Sequence, residues 1–208
     1  MAKASRRGEK AADTTPAAVA RQADSPPARV DVVIAGGGLV GLSLALALRR
    51  TAGQALSLLV VDPLGGVPAR DTRASAIAAG ARRMLETLGA WPEASAQPIL
   101  DMIVTDGTVE DAVRPAILTF GGEAEPGEPF AHMIENLALL GALHAAVVAA
   151  GIPIATGTVA GVERAGGAAV VTLGDGATVR ARLVAACDGA RSRLREAAGI
   201  RMHGWGYG

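Results

Sequence analysis

Aromatic residues, cysteine and net charge are all scarce in this 208-residue sequence. Phe, Trp and Tyr make up only 2% of it, whereas half of its residues are apolar, so a core has to be built from Ala, Val, Leu and Ile. The one cysteine, Cys187, excludes an internal disulfide and suits a reducing compartment. Because the formal net charge is zero, the sequence lacks the basic excess of a general nucleic-acid-binding protein.

Long apolar runs are missing too. No stretch approaches the roughly 20 apolar residues that a helix needs to cross a membrane, and residues 1–29 lack the apolar segment of a secretory signal. Those residues are rich in Ala, Pro, Ser, Thr and Arg, a composition typical of a disordered tail. We therefore expect a cytoplasmic protein with a disordered tail over residues 1–29 and one domain over residues 30–208.

Short β-branched runs and longer runs of helix-forming residues alternate after the tail, which predicts an α/β fold. The predicted helices are LVGLSLALALRR, residues 72–91, and residues 135–151, the last closed by Gly151. The predicted strands are RVDVVIA, LSLLVVD, PILDMIVTD, PAILTF and PFAHMI. Turns at Gly166-Gly167 and Asp175-Gly176 separate VAGVERA, AAVVTL and TVRARLVAAC, so these three runs predict a β-meander.

A glycine-rich turn lies between the first predicted strand and the first predicted helix. Gly36, Gly38 and Gly41 match the pattern G-x-G-x-x-G, in which the glycines permit a tight turn, close approach to a pyrophosphate and close helix packing. The helix that follows offers free N–H groups and a partial positive charge to phosphates. The second strand ends at Asp62, where a carboxylate can bind a ribose hydroxyl. The alternative is a glycine-rich turn without a ligand, and the fingerprint does not distinguish NAD from FAD.

Two later segments carry residues that suit a dinucleotide. Arg73 lies at the start of the helix predicted over residues 72–91, where its guanidinium can bind phosphate, or simply face solvent. In CDGARSRLR, a buried strand ends at Asp188 and Gly189, and Ser192 and Arg195 follow near one helix face. The aspartate, the turn amides and the arginine could surround a second stretch of dinucleotide. The alternative is a helix N-cap at Asp188 with a basic solvated face.

Taken together, GGGLVG, VVDP, DTRASAIAAGARRMLETLGAW and CDGARSRLR resemble the flavin-dependent aromatic monooxygenases. The closest resemblance is to the ubiquinone-biosynthesis hydroxylases, since PILDMIVTD, HMIEN and the closing GWGY match that branch. The resemblance implies a Rossmann-like FAD-binding domain with a β-meander crossover and part of a substrate-binding sheet, inserted around residues 99–133. It also implies that NAD(P)H reduces FAD and that O2 is then used to hydroxylate an aromatic ring, here of a polyprenyl phenol.

The resemblance assigns a role to each matching position. Gly36, Gly38 and Gly41 would bind the FAD pyrophosphate, and Asp62 would bind the adenosine ribose, where a glutamate is more usual. Arg73 would contact FAD, and Asn136 falls near a position that often faces the nucleotide. The pair Asp188 and Gly189 would touch FAD and help to receive NAD(P)H, with Arg195 nearby.

No nucleophile or metal ligand is expected in this chain. The cofactor would carry out the oxidation, so the protein has only to place it and its substrate. The histidines at positions 132, 144 and 203 show no metal-ligand spacing.

Part of the family pattern is not matched. A second flavin motif, Gly-Asp followed by Ala-Ala-His-like residues, has no counterpart, because Gly174-Asp175 is followed by Gly-Ala-Thr-Val and predicts a hairpin turn. We therefore expect the N-terminal half of a longer enzyme. The alternatives are a non-catalytic or decayed dinucleotide-binding module and another FAD-linked oxidoreductase of the same fold. The lipid-like substrates of the resembled family suggest contact with a membrane surface or a biosynthetic complex.

Overall fold

A computed structural model describes residues 26–66, 71–108 and 110–206. The tail predicted over residues 1–29 lies outside the described residues except for positions 26–29, and Arg29 already begins the first strand. The helices are α1 (Leu39–Ala52), α2 (Ala79–Thr87), α3 (Asn136–Ala149) and α4 (Arg193–Ala197). The strands are β1 (Arg29–Ala35), β2 (Leu58–Asp62), β3 (Ala74–Ala78), β4 (Ala96–Ile99), β5 (Asp101–Thr105), β6 (Ala116–Gly121), β7 (Glu123–Glu125), β8 (Glu128–Pro129), β9 (Ala131–Glu135), β10 (Ile154–Thr156), β11 (Val159–Ala165), β12 (Ala168–Leu173) and β13 (Thr178–Ala186).

The largest sheet has six strands in the order β10-β2-β1-β13-β12-β11. β10, β2, β1 and β13 run parallel, with Ile34 of β1 in register with Val60 on one side and Ala185 on the other. β12 and β11 then add antiparallel strands at one edge. The carboxyl ends of four strands from distant parts of the chain therefore meet at one end of the sheet, which confirms the Rossmann-like α/β fold.

Both faces of the central strands are buried, as expected for parallel strands. On one face, Val32 and Ile34 pack against α1 and α3 through residues such as Leu42 and Leu143. On the other face, Val33 packs in a cluster that includes Leu59, Val61, Val171, Leu173 and Val179. Burying each such side chain fully contributes about 1.5–3 kcal/mol, so these aliphatic clusters provide a core without aromatic residues.

The predicted β-meander is confirmed. β11, β12 and β13 are consecutive antiparallel strands. Gly166 and Gly167 connect the first two with φ of 58° and 74°, and positive φ at both central positions is the requirement of a two-residue type I′ turn. The Gly-Gly pair therefore fixes the register in which Ala165 lies opposite Ala168.

The helix predicted over residues 72–91 is wrong in its first half. Residues Ala74–Ala78 form β3, which pairs antiparallel with β9, and α2 begins only at Ala79. Arg73 therefore precedes a strand and does not begin a helix. Alanine favours helices intrinsically, but ladder bonds to β9 and burial of Ile77 against the core outweigh that preference. The predicted end of the helix near Gly89 is confirmed, since Gly89 has a φ of 69°.

The single strand predicted for PILDMIVTD is divided at Leu100. β4 pairs with β9 at the edge of a three-stranded sheet, β3-β9-β4, whereas β5 pairs with β6 in a separate hairpin. β7 and β8 form a further two-stranded ribbon. Through Ile134 of β9, the three-stranded sheet shares the core of the main sheet. None of the described helices has the length and apolar character that crossing a membrane requires.

Helix α1 packs against the turn before it through Gly41. A Cβ at position 41 would overlap the carbonyl oxygen of Gly36 and lie 3.3 Å from Cβ of Cys187. The neighbouring atoms are backbone and a short side chain, so they cannot easily move aside. By contrast, a Cβ added to Gly141 in α3 would meet no heavy atom within 4 Å.

We predict that Gly41→Ala and Gly141→Ala change stability in opposite directions. Gly41→Ala should lower the free energy of unfolding by about 1–3 kcal/mol or more, because it overpacks the contact between α1 and the turn. Gly141→Ala should raise it by about 0.5–1 kcal/mol, because alanine loses less backbone entropy in a helix. Urea unfolding followed by circular dichroism measures both, and equal effects of the two substitutions would contradict the packing described here.

Candidate functional site

A cavity of about 690 Å³ lies at the carboxyl ends of the parallel strands. It is formed by the ends of β1, β2 and β13, the start of β11 and the turn before α4. Its lining comprises Ala35, Gly36, Gly38, Val61, Asp62, Pro63, Gly157, Thr158, Val159, Ala160, Cys187, Asp188, Gly189, Arg191, Arg193 and Leu194. In open α/β sheets, ligands bind at this end of the strands.

The three glycines of the G-x-G-x-x-G turn serve different physical purposes. Gly36 has a φ of 108°, donates its N–H to the Val61 carbonyl at 2.8 Å, and leaves no room for a side chain against the Cys187 carbonyl. Gly41 is equally constrained by the Gly36 carbonyl. Gly38 is different, because it lines the cavity with an ordinary φ of −78° and a Cβ there would meet nothing within 4 Å. The chain's own packing therefore does not require a glycine at position 38.

The N-terminus of α1 opens beside this turn without a side-chain cap. Gly38 is the N-cap residue, no side chain bonds to the first turn, and that turn carries no acidic residue. A 14-residue helix presents unpaired N–H groups and a partial positive charge at such an end. Together with the open space at Gly38, these donors fit a diphosphate group.

Asp62 lines the cavity, and its carboxylate accepts hydrogen bonds from the backbone of two neighbouring loops. Its Oδ2 accepts the Gly37 N–H at 2.8 Å, and its Oδ1 accepts the N–H groups of Leu64 at 2.8 Å and Gly66 at 3.2 Å. Each carboxylate oxygen has about two acceptor positions. Oδ2 therefore retains capacity for one more donor, such as a ribose hydroxyl.

The turn after β13 is held by Asp188 and Ser192. The Asp188 carboxylate accepts the Ser192 hydroxyl at 2.5 Å and the Leu194 N–H at 3.4 Å, and the Ser192 oxygen in turn accepts the Arg195 N–H at 3.0 Å. Burial opposes ionisation of Asp188, but these hydrogen bonds outweigh it and hold the pKa of the carboxyl below its usual range. Ser192 is thus the N-cap of α4, and Asp188 supports the cap from outside the helix. Gly189 follows with a φ of 90°.

Two predicted arginines do not line the cavity. The Arg195 guanidinium donates to the Ala190 carbonyl at 2.9 Å and lies 3.6 Å from the Glu196 carboxylate. The Arg73 guanidinium, in a side chain that is 80% exposed, makes two bonds of 2.8 Å to the Asp71 carboxylate. The structure therefore brings together Gly36, Gly38, Asp62, Asp188 and Gly189, with Gly41 packed behind them. Roles for Arg73 and Arg195 toward a cofactor stay predictions.

Asn136 belongs to a network around Arg73. Its side-chain amide donates to Asp71 at 3.0 Å, and its carbonyl oxygen accepts the Ser75 hydroxyl at 2.6 Å. The Arg73 side chain contributes most to holding the pKa of Asp71 well below its usual range, and Asn136 adds to the effect. The network joins the segment before β3 to the first residue of α3.

Several lining residues were not predicted from the sequence. Residues 157–160 reach the cavity because β10 pairs with β2, a non-local contact with no sequence signal. Arg191 and Arg193 flank Ser192 in the turn, and their basic character beside the Asp-Gly pair was the available signal. Cys187 also lines the cavity, where burial raises the pKa of its thiol. Within the described ranges, no cluster of His, Cys, Asp and Glu could hold a metal ion.

Comparison with known proteins identifies a consistent set of relatives. Residues 29–207 match the family model for the FAD binding domain. The chain is 39% identical over 211 aligned residues to the ubiquinone hydroxylase UbiL of Rhodospirillum rubrum, covering 95% of this chain and 46% of the relative. It is 30% identical to the 3-demethoxyubiquinol 3-hydroxylase of Escherichia coli, covering 85% of this chain and 46% of that enzyme. The chain thus spans a little under half the length of these curated relatives.

A solved structure of a flavin-dependent monooxygenase is also similar to this chain. The flavin-dependent monooxygenase PieE, crystallised with FAD and substrate, superposes with a TM-score of 0.65 at 25% identity, over 84% of this chain and 33% of that chain. These similarities confirm the resemblance to flavin monooxygenases of the ubiquinone branch that the sequence motifs indicated.

We predict that Ser192→Ala destabilises the turn beside the cavity. The substitution removes the N-cap of α4 and the hydroxyl bond to Asp188, and loss of a cap costs about 0.5–2 kcal/mol of unfolding free energy. Ser95→Ala is the matched control, because Ser95 is exposed and its hydroxyl has no bond within the described part of the chain; its effect should stay within about 0.5 kcal/mol. Urea unfolding of both variants provides the test, and equal stabilities would refute the capping role.

Proposed function

Because the chain belongs to the FAD binding domain family, we propose that residues 30–208 hold FAD for a monooxygenase that hydroxylates an aromatic ring. The curated relatives with ubiquinone hydroxylase names support a substrate of the same kind, a polyprenyl phenol that is a precursor of ubiquinone. The chain spans a little under half the length of those relatives. The hydroxylating activity is therefore proposed for the whole protein and not for this segment alone.

The observation that carries the proposal is the cavity at the ends of β1, β2 and β13. It combines the uncapped N-terminus of α1, open space at Gly38 and the Asp62 carboxylate on one wall, with the turn at Asp188 and Gly189 on another. These groups suit the diphosphate and the sugar hydroxyls of a dinucleotide.

Each group of residues would contribute binding and placement. The N–H groups at the start of α1 would donate to the FAD diphosphate, and Gly38 would allow the backbone to approach it. The remaining acceptor position on Asp62 Oδ2 would take one ribose hydroxyl. When bound, FAD supplies the redox chemistry between NAD(P)H, O2 and the aromatic substrate, and the protein supplies orientation and a sheltered environment.

We also propose that the β5–β6 and β7–β8 hairpins form part of the substrate-binding sheet. Register pairs Met102 with Phe120 and Val104 with Leu118, so one face of the first hairpin is apolar. All four side chains are exposed, at 36–49% of their maximum. This apolar face supports the assignment of residues 99–133 to a substrate-binding sheet and is compatible with a lipid-like phenol. A cytoplasmic location at a membrane surface or in a biosynthetic complex is part of the same proposal.

We predict that Gly38→Val weakens FAD binding without unfolding the protein. The valine can adopt the φ of −78°, and its Cβ meets no atom of the chain, but it would occupy space that the diphosphate needs. Loss of even one hydrogen bond to a charged group is worth about 1.5–3 kcal/mol, so the Kd for FAD should rise by about tenfold or more. Flavin fluorescence titration measures the Kd.

Gly80→Val is the matched control for that experiment. Gly80 is an exposed glycine in α2 whose added Cβ would meet nothing within 4 Å, and it does not line the cavity. The control should bind FAD as the unmodified protein does, and both variants should unfold cooperatively in urea. Unchanged FAD affinity in a folded Gly38→Val variant would exclude this turn as the diphosphate site.

We also predict that the FAD-loaded protein oxidises NADH or NADPH faster when a polyprenyl phenol is present. The product should carry one additional oxygen atom, and the oxygen should come from O2. Mass spectrometry after reaction under ¹⁸O₂ measures this incorporation. Bound FAD without NAD(P)H oxidation would favour a non-catalytic module, whereas oxidation without a hydroxylated product would favour another FAD-linked oxidoreductase.

A further inference from the structure

The β5–β6 hairpin is joined to the rest of the chain by two very short connections. Leu100 alone separates it from β4, and Gly122, with a φ of 102°, alone separates it from β7. Within the described residues, no ladder of backbone hydrogen bonds links this hairpin to another sheet. The large apolar side chains of its strands are exposed. Its orientation therefore depends on β4 at one connection and on the β7–β8 ribbon at the other.

The β7–β8 ribbon brings three carboxylates together. Pro126 and Gly127 connect its two strands, and the register places Glu125 directly opposite Glu128. The Glu123 carboxylate accepts the Gly127 N–H at 2.8 Å and so supports the turn. Like charges that lie directly opposite each other on paired strands are destabilising. The ribbon therefore needs a cation close to its turn.

Arg83 of α2 supplies that cation. Its Nη1 donates to Glu125 Oε1 at 2.9 Å, and its Nη2 lies 3.3 Å from Glu128 Oε2, so one guanidinium bridges the two strands. The Glu128 side chain is only 18% exposed, and a partly buried pair is screened less than an exposed one. A single exposed ion pair contributes little, but a planar guanidinium that contacts two carboxylates also constrains their direction.

Helix α2 is itself fixed to the core beside the main sheet. Leu85 is buried in the cluster that packs against β1. The N–H of Ala79 donates to the Phe130 carbonyl at 2.9 Å, where the chain leaves β8. Ala79 and Arg83 are four residues apart and are therefore neighbours on one side of the helix. The helix thus holds the ribbon at two points, at its end and at its turn.

We propose that Arg83 is a positioning residue, which sets the orientation of the β5–β6 hairpin relative to the cofactor cavity by pairing with both strands of the β7–β8 ribbon. The inference rests on the proposed function, in which this hairpin forms part of the substrate-binding sheet. Arg83 does not line the cavity. Its loss should therefore disturb the placement of the aromatic substrate and leave FAD binding unchanged.

Distances between two spin labels test the orientation independently of activity. The labels are attached at Thr119→Cys on β6 and Ala145→Cys on α3, both exposed positions, after replacement of the one cysteine by Cys187→Ala. We expect one narrow distribution of distances when Arg83 is present and a broader or shifted distribution in Arg83→Gln. Arg83→Lys should give an intermediate result, because an ammonium keeps the charge but lacks the planar fork.

A second background tests whether Arg83 acts through the two glutamates. In a Glu125→Gln/Glu128→Gln variant, the charges with which Arg83 pairs are absent. Adding Arg83→Gln to that variant should change the label distances no further, because residues that act through one network have non-additive effects.

Steady-state kinetics of the whole FAD-loaded protein test the consequence for the substrate. Arg83→Gln should raise the KM for a polyprenyl phenol by about threefold or more, because a displacement of about 1 Å can cost about 100-fold in rate. The fraction of oxidised NAD(P)H that is recovered as hydroxylated product should fall. The Kd for FAD should not change. Loss of folded protein alone would lower the rate without raising KM.

Arg50→Gln is the matched control. It also removes an exposed guanidinium, but from the last turn of α1, and the ion pairs of the ribbon do not involve Arg50. It should match the unmodified protein in label distances, KM and FAD affinity. Thermal unfolding establishes the fold of each variant, and Arg83→Lys provides the same comparison if Arg83→Gln is unfolded.

The outcomes separate this inference from the proposed function. Unchanged label distances in folded Arg83→Gln would overturn the inference, even if the unmodified protein hydroxylates a phenol. Distances that change together with a raised KM would support both. Distances that depend on Arg83 in a protein that hydroxylates no phenol would support the inference and contradict the proposed function. Changed distances with an unchanged KM would support the orienting role and contradict the assignment of the hairpin to the substrate-binding sheet.

Discussion

The constraint on which the site depends is a backbone-to-backbone contact that leaves no space for side chains. Gly36 lies directly against the Cys187 carbonyl and donates to Val61, while Gly41 lies against the Gly36 carbonyl. The end of β1, the start of α1 and the ends of β2 and β13 are therefore held within a few ångströms of one another. The cavity follows from this contact, because its walls are the strand ends that the contact joins.

Many of the polar side chains around the cavity form hydrogen bonds that hold the loops lining it. Asp62 holds the glycine turn and the loop after β2, and Asp188 with Ser192 holds the turn before α4. What remains for a ligand are the uncapped N–H groups of α1 and one acceptor position on Asp62. This division is consistent with a rigid, preorganised site in which most of the redox chemistry would belong to the cofactor.

The sequence predicted best those features that short segments determine. The glycine turn, the end of α2 near Gly89 and the Gly166-Gly167 turn each need backbone conformations that few residues adopt, so local composition reveals them. The sequence-based prediction was wrong where pairing with a distant strand determined the secondary structure. The alanine-rich start of residues 72–91 would suit a helix, but pairing with β9 makes it β3, and PILDMIVTD divides because its halves pair with different strands.

The sequence by itself determined the parallel core strands, the diphosphate-type turn and the acid at the end of β2, since each depends on spacing within one unit of strand, turn and helix. Only the tertiary structure decided which charged residues line the cavity. Arg191 and Arg193 are among the residues that line it, whereas the Arg195 guanidinium donates to the Ala190 carbonyl within the turn that the Asp188–Ser192 hydrogen bond holds. Side-chain direction at a turn follows from such contacts, and residue spacing does not encode it.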